Sequence, residues 1–89
     1  MFPSPIAQNC WQRAIYCFSV SKQVWEREPR KYLCLTLREI RAIDRKFQEI
    51  QELINNFSFE LRHLIILLNK TNQLQILLFE SDVKFNRLT

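Results

Sequence analysis

An all-α fold is predicted by three features of this sequence. Glycine is completely absent, one long stretch carries apolar residues at steps of three and four, and proline and asparagine are left to punctuate the chain. Hairpin turns and phosphate-binding loops need glycine for positive φ or for close backbone approach. Its absence argues against a P-loop, a dinucleotide-binding fingerprint and most β-rich folds. Asparagine must then supply left-handed turn positions, with breaks expected around Asn55, Asn56, Asn69, Asn72 and Asn86.

Taken in order, residues 1–3 read as a loose tail, and Ser4-Pro5 reads as an N-cap followed by proline at the first helical position. Trp11, Ala14, Ile15, Phe18 and Trp25 then follow helical spacing, with Cys10, Cys17 and Val24 widening the stripe. Tyr16, Phe18 and Val20 also alternate, which is equally the pattern of a strand across residues 14–21. The helix reading ends at Glu28, because the residue before a proline is pushed out of the α region.

The stretch 32–54 is the most strongly periodic. Leu33, Leu37, Ile40, Ile43, Phe47, Ile50 and Ile54 fall in one stripe, and Arg38, Arg41 and Arg45 lie opposite with Lys31 nearby. Glu49 is the anomaly, a carboxylate inside the apolar stripe. If it is buried it needs a partner, and Arg62 and His63 are the nearest candidates across the following turn. Two start signals compete here. Pro29 suits a first helical position, while Thr36 and Glu39 form a capping box with Leu35 and Ile40 as its staple. The early start is preferred, because Leu33 continues the stripe.

Beyond Asn55-Asn56, Ser58 can cap a short helix that is apolar nearly all round. Leu61, Leu64, Ile65 and Leu68 form one face, with Ile66 and Leu67 elsewhere; such a helix is central to a bundle or covered by a partner. A second break is expected across residues 69–72, then a last segment with Leu74, Leu77 and Leu78 at helical spacing, although residues 74–79 also fit a buried strand. The expected fold is thus a single domain over residues 1–89, frayed at 1–3 and 87–89. It is a small antiparallel bundle of three to four helices over about 5–27, 30–54, 58–70 and 73–86, the central one longest.

The net charge is +4, concentrated in residues 1–46, where nine Lys/Arg face four Asp/Glu. Three cysteines in no metal-binding spacing point to a reducing compartment. The N-terminus lacks the basic and apolar regions of a signal peptide. The longest apolar run, residues 64–68, is far short of the roughly 20 residues of a membrane span.

Chemistry has few footholds. With one histidine, no glycine for a nucleophile elbow and cysteines in apolar settings, no catalytic constellation is legible. Glu60 and His63 stand three apart, a helical metal-ligand spacing that Glu49 could complete. Such a half-site resembles those of small ferritin-like proteins that share a di-iron centre between subunits. Ile40, Ile43, Asp44 and Arg45, in the segment IRAIDRKFQEI, resemble the first helix of the all-α chorismate mutases. Where that family carries an active-site arginine after the motif, this chain has Ile54, and too little chain follows to build the rest of that fold.

The expectation is therefore a non-enzymatic cytoplasmic helical module without cofactor, a homo-oligomer or the adaptor or subunit of a larger complex. It would bind protein through Leu37, Ile40, Phe47, Ile50, Leu64, Ile66 and Leu67, because two Trp and seven Phe exceed what one small bundle needs inside. The alternatives are a nucleic-acid-binding module using Arg38, Arg41, Arg45 and Lys31, and a metal-carboxylate oligomer using Glu49, Glu60 and His63.

Overall fold

Pro5 opens a helix that runs to Arg27 (α1, Pro5–Arg27) in the computed structural model, which describes residues 5–56 and 60–88. The Ser4 and Ser58 caps and the tail over 1–3 fall outside the described residues. Along α1, Trp11, Ala14, Phe18 and Trp25 are buried at steps of three, four and seven, while Tyr16 and Val20 are exposed. The alternation across residues 14–21 thus has no strand behind it. Glu28 leaves the helix with φ −117° and ψ 67°, as its place before Pro29 requires.

Pro29 does begin a helix, but a short 3-10 one (Pro29–Cys34), closed by a hydrogen bond from Lys31 N to Glu28 O of 3.2 Å. Leu35 is extended, and α2 (Leu37–Asn56) starts from the later signal. Glu39 N donates to Thr36 Oγ1 at 3.2 Å, and Thr36 N donates to the Glu39 carboxylate at 3.2 Å, a complete capping box. The expected start at residue 30 is therefore corrected. The box satisfies orphan donors that an uninterrupted helix through residues 35–36 would not need to have capped. Leu33, which had argued for the early start, is 87% exposed.

The chain beyond residue 60 carries the larger correction. Where two short helices were expected, one helix runs unbroken over Leu61–Leu88 (α3), and it, not α2, is the longest at 28 residues against 20. Leu64, Leu67, Thr71, Leu74 and Ser81 are buried along it, with Leu78 half-buried between the last two, which is the three-four spacing of a bundle seam. The break expected at residues 69–72 does not occur. Thr71 sits inside the seam and donates its hydroxyl to Leu67 O at 2.8 Å, while Asn69 and Asn72 face outward. None of these residues costs a helix more than roughly 0.7 kcal/mol each, and the seam outweighs that. Arg87 and Leu88, expected to fray, belong to the helix.

The three helices alternate in direction. Phe18 packs on Phe47 with ring centroids 5.7 Å apart, and Glu39 and Glu49 of α2 bond to Lys84 and Lys70 of α3. Gln75 bonds to Ser21 at 2.9 Å and Lys31, just beyond α1, pairs with Asp82 further along α3, so α1 runs parallel to α3 and both are antiparallel to α2. Among the described residues, ten apolar side chains from the three helices form one core, of which Ile50, Leu67 and Leu74 are completely buried. The 3-10 segment is fixed at one end of the bundle by Tyr32, whose ring packs tilted against Trp25 with centroids 4.7 Å apart, and by the Lys31–Asp82 ion pair. The result is an elongated bundle, 51 × 19 × 18 Å.

Candidate interaction surface

The residues expected to bind a partner divide sharply. Phe47, Ile50, Leu64 and Leu67 are in the intramolecular core and are not available to another molecule. Ile40 is half-buried, whereas Ile66 on α3 and Leu37 at the start of α2 are exposed. The reason is the phase of α3. Its inward face is the Leu64, Leu67, Thr71, Leu74 line, rotated from the Leu61, Ile65, Leu68 line that the expected short helix would have turned inward.

That second line is left outside. Leu61 is 69% exposed, Ile65 50%, Leu68 41%, Ile76 51% and Phe79 68%, and at helical spacing all five lie along one side of α3. Beside it runs a shallow groove between α1 and α3, whose α1 wall includes Cys10, Arg13 and Cys17 and whose α3 wall includes Leu68, Asn72 and Gln75. Val20 and Val24 continue the α1 wall. The signal for this surface was present in the sequence as a second three-four spacing on α3. It could not be told from the core spacing, because each is apolar and each has the right period.

At the far end the groove closes to a cavity of about 180 Å³, lined by Val24, Trp25, Lys31, Ser81 and Asp82. That is below the roughly 300 Å³ at which small-molecule sites begin. The Ser81 hydroxyl is buried there with no hydrogen-bond partner among the described residues.

The arginine stripe is only partly assembled. Arg38, Arg41 and Arg45 are exposed on the outer side of α2. Lys31 is not with them. It is half-buried and paired to Asp82 of α3.

Glu49 resolves differently from its expected partners. Its carboxylate Oε2 accepts from Lys70 at 2.8 Å and from Lys46 at 3.1 Å; Lys46 also reaches Gln73 at 2.9 Å. Arg62 instead pairs with Glu60 at 3.4 Å. Among the described residues no three His, Cys, Asp or Glu side chains come together as metal ligands. A carboxylate held by two ammonium groups is a poor start for a metal site. Lys70 first, and then Lys46, hold the Glu49 carboxyl below the usual carboxylate range.

A pH test follows from that shift. Because the folded value lies below the ordinary 4.5, the contribution is complete above that value and disappears as pH falls through the lowered one. Glu49→Gln should therefore be less stable than the parent near neutrality and converge with it in acid. Urea midpoints of the two chains from about pH 7 to about pH 3 measure this. Glu39 is shifted the same way by Lys84 and Thr36 but is common to both chains, so it cancels. A gap that stays constant with pH would mean that the charge on Glu49 contributes nothing.

Known protein families, curated proteins and solved structures contain no match to this chain. No helix among the described residues is long and apolar enough to cross a membrane. The apolar line on α3 is the feature that the fold itself leaves without a role.

Proposed function

We propose that this chain is a small non-enzymatic interaction module, the oligomerising or adaptor subunit of a protein assembly, which binds protein through the outer face of α3 and the adjoining α1 groove. One observation carries the reading. Five large apolar side chains, each at least two-fifths exposed, lie in line on one helix. Exposed apolar residues scattered singly need no explanation, but contiguous ones mark interaction sites. A helix presenting such a line is recognised by another helix laid along it. The non-enzymatic part rests on the side-chain inventory: a single histidine, and no glycine to build a phosphate loop or nucleophile elbow. Three free cysteines, one of them exposed, suit a reducing compartment, so a cytoplasmic setting belongs to the proposal.

The test is mass in solution. Sedimentation equilibrium of the purified chain, together with isolation of the tagged chain from its native cells, should give a species heavier than the 10.8 kDa monomer. A chain that stays monomeric at every concentration, and that comes out of cells with no stoichiometric companion, would overturn the proposal.

A further inference from the structure

We infer that the occupant of the α3 face is a second copy of this chain, packed antiparallel about a two-fold axis that passes beside Asn72. The inference rests on the interaction-module reading and names its partner.

The first support is the pattern of the face. Taken outward from Asn72, Ile76 and Leu68 lie four residues away, Phe79 and Ile65 seven, and Val83 and Leu61 eleven. The line is a palindrome in spacing. Two antiparallel copies of α3 crossing at Asn72 would set Leu61 against Val83 of the second copy, Ile65 against Phe79, and Leu68 against Ile76. Asn72, which is exposed, would meet itself. A single polar residue in an apolar helix seam fixes register, because any slip buries its amide against hydrocarbon.

Charge decides the direction. Arg62 and Glu80 lie on the same flank of the apolar line, on either side of Asn72 at nearly equal distance, and both are exposed. A two-fold axis across the helices brings like flank to like flank, so each Arg62 comes beside the other copy's Glu80, twice over. A parallel pair has its two-fold axis along the helices, which turns the two Arg62/Glu80 flanks to opposite sides, so neither ion pair forms and the two helix dipoles align unfavourably.

Area is the third support. From their fractional exposures, the five α3 side chains present roughly 500 Å² of surface, well over half of the ~800 Å² that each partner gives to a standard interface. Val20 and Val24 on the adjoining α1 wall extend it.

The experiment is sedimentation equilibrium in reducing buffer on the parent chain and three surface variants, with circular dichroism to verify that each stays helical. The parent should be a dimer. Phe79→Glu should dissociate it, by placing a carboxylate against Ile65. Glu80→Arg should weaken it by about tenfold, since two attractive pairs become repulsive. Adding Arg62→Glu to Glu80→Arg should restore the parent affinity. That rescue occurs only if the two positions face each other across the axis, which a parallel pair or a different face cannot reproduce. As a second readout, Asn72→Cys in a chain with Cys10, Cys17 and Cys34 replaced by serine should form a disulfide dimer on mild oxidation. Leu61→Cys in the same background should not.

A dimer indifferent to all three surface variants, or one in which the double charge swap fails to restore affinity, would overturn the antiparallel pairing. A chain that is monomeric at millimolar concentration yet isolated from cells with a different protein would also overturn it, while leaving the interaction-module reading in place.

Discussion

Leu67→Ala should lower the folding stability by about 2–5 kcal/mol, whereas Leu61→Ala, six residues earlier on the same helix, should change it by no more than about 0.5 kcal/mol. The side chains are identical and both belong to an apolar stripe at helical spacing. They differ in what surrounds them. Leu67 is completely buried in the seam that α3 turns toward α1 and α2, so its truncation removes packed contacts and leaves a cavity. Leu61 is 69% exposed, and its methyl groups are already in water. Against a total stability of about 5–15 kcal/mol for a domain of this kind, the first loss takes much of what is available. Urea unfolding at concentrations below any self-association measures both. Equal effects at the two positions would mean that the phase of α3 is not the one described.

Asn69→Pro should cost about 3 kcal/mol or more, because proline in a helix interior removes one hydrogen bond and clashes with the carbonyl four residues before it. Asn69→Ala at the same place should stabilise by up to roughly 0.7 kcal/mol, alanine being the better helix former. The pair tests the continuity of α3 directly. Asn69 is exposed and on the outer side of the helix, so neither change disturbs the core. Were the chain to turn at residues 69–72, proline would be tolerated there and could even help. Unfolding followed by circular dichroism at 222 nm distinguishes the two, and a neutral Asn69→Pro would restore the broken-helix reading.

These two predictions sit where reading the chain alone was weakest. Asn69, Thr71 and Asn72 are poor helix formers by a few tenths of a kcal/mol, which is enough to suggest a break and too little to make one. Burying Leu67, Thr71 and Leu74 on one line outweighs that preference. The partners of Glu49 differ from the expected ones for another reason. A hairpin centred on Asn55-Asn56 would set Arg62 and His63 across from it, whereas α2 runs to Asn56 and α3 begins only at Leu61, which brings Lys70 level with Glu49. That Glu49 needed a partner was legible, because a carboxylate in an apolar stripe always does.

Other signals were legible in the chain alone, although of the two starts for α2 the chain alone favoured the wrong one. α1 follows the bounds that Pro5 and Pro29 impose, and the start of α2 is set by a capping box closed by two residues three apart. Such signals are local, so their geometry is complete within one turn of chain. The choice between Pro29 and Thr36 went to the box because a 3-10 turn absorbs Pro29 without extending into α2.

What this sequence determined by itself is the class of the fold and the middle of the buried stripe of α2, Ile43, Phe47 and Ile50. A chain without glycine, whose central helix is apolar on one side and charged on the other, has few other ways to exclude water from its large side chains. What only the tertiary structure decided is which leucines of α3 are inside. That helix is apolar on more than one side, so its own residues do not select a face. The positions of α1 and α2 do, and they leave the Leu61, Ile65 and Leu68 line of that helix uncovered.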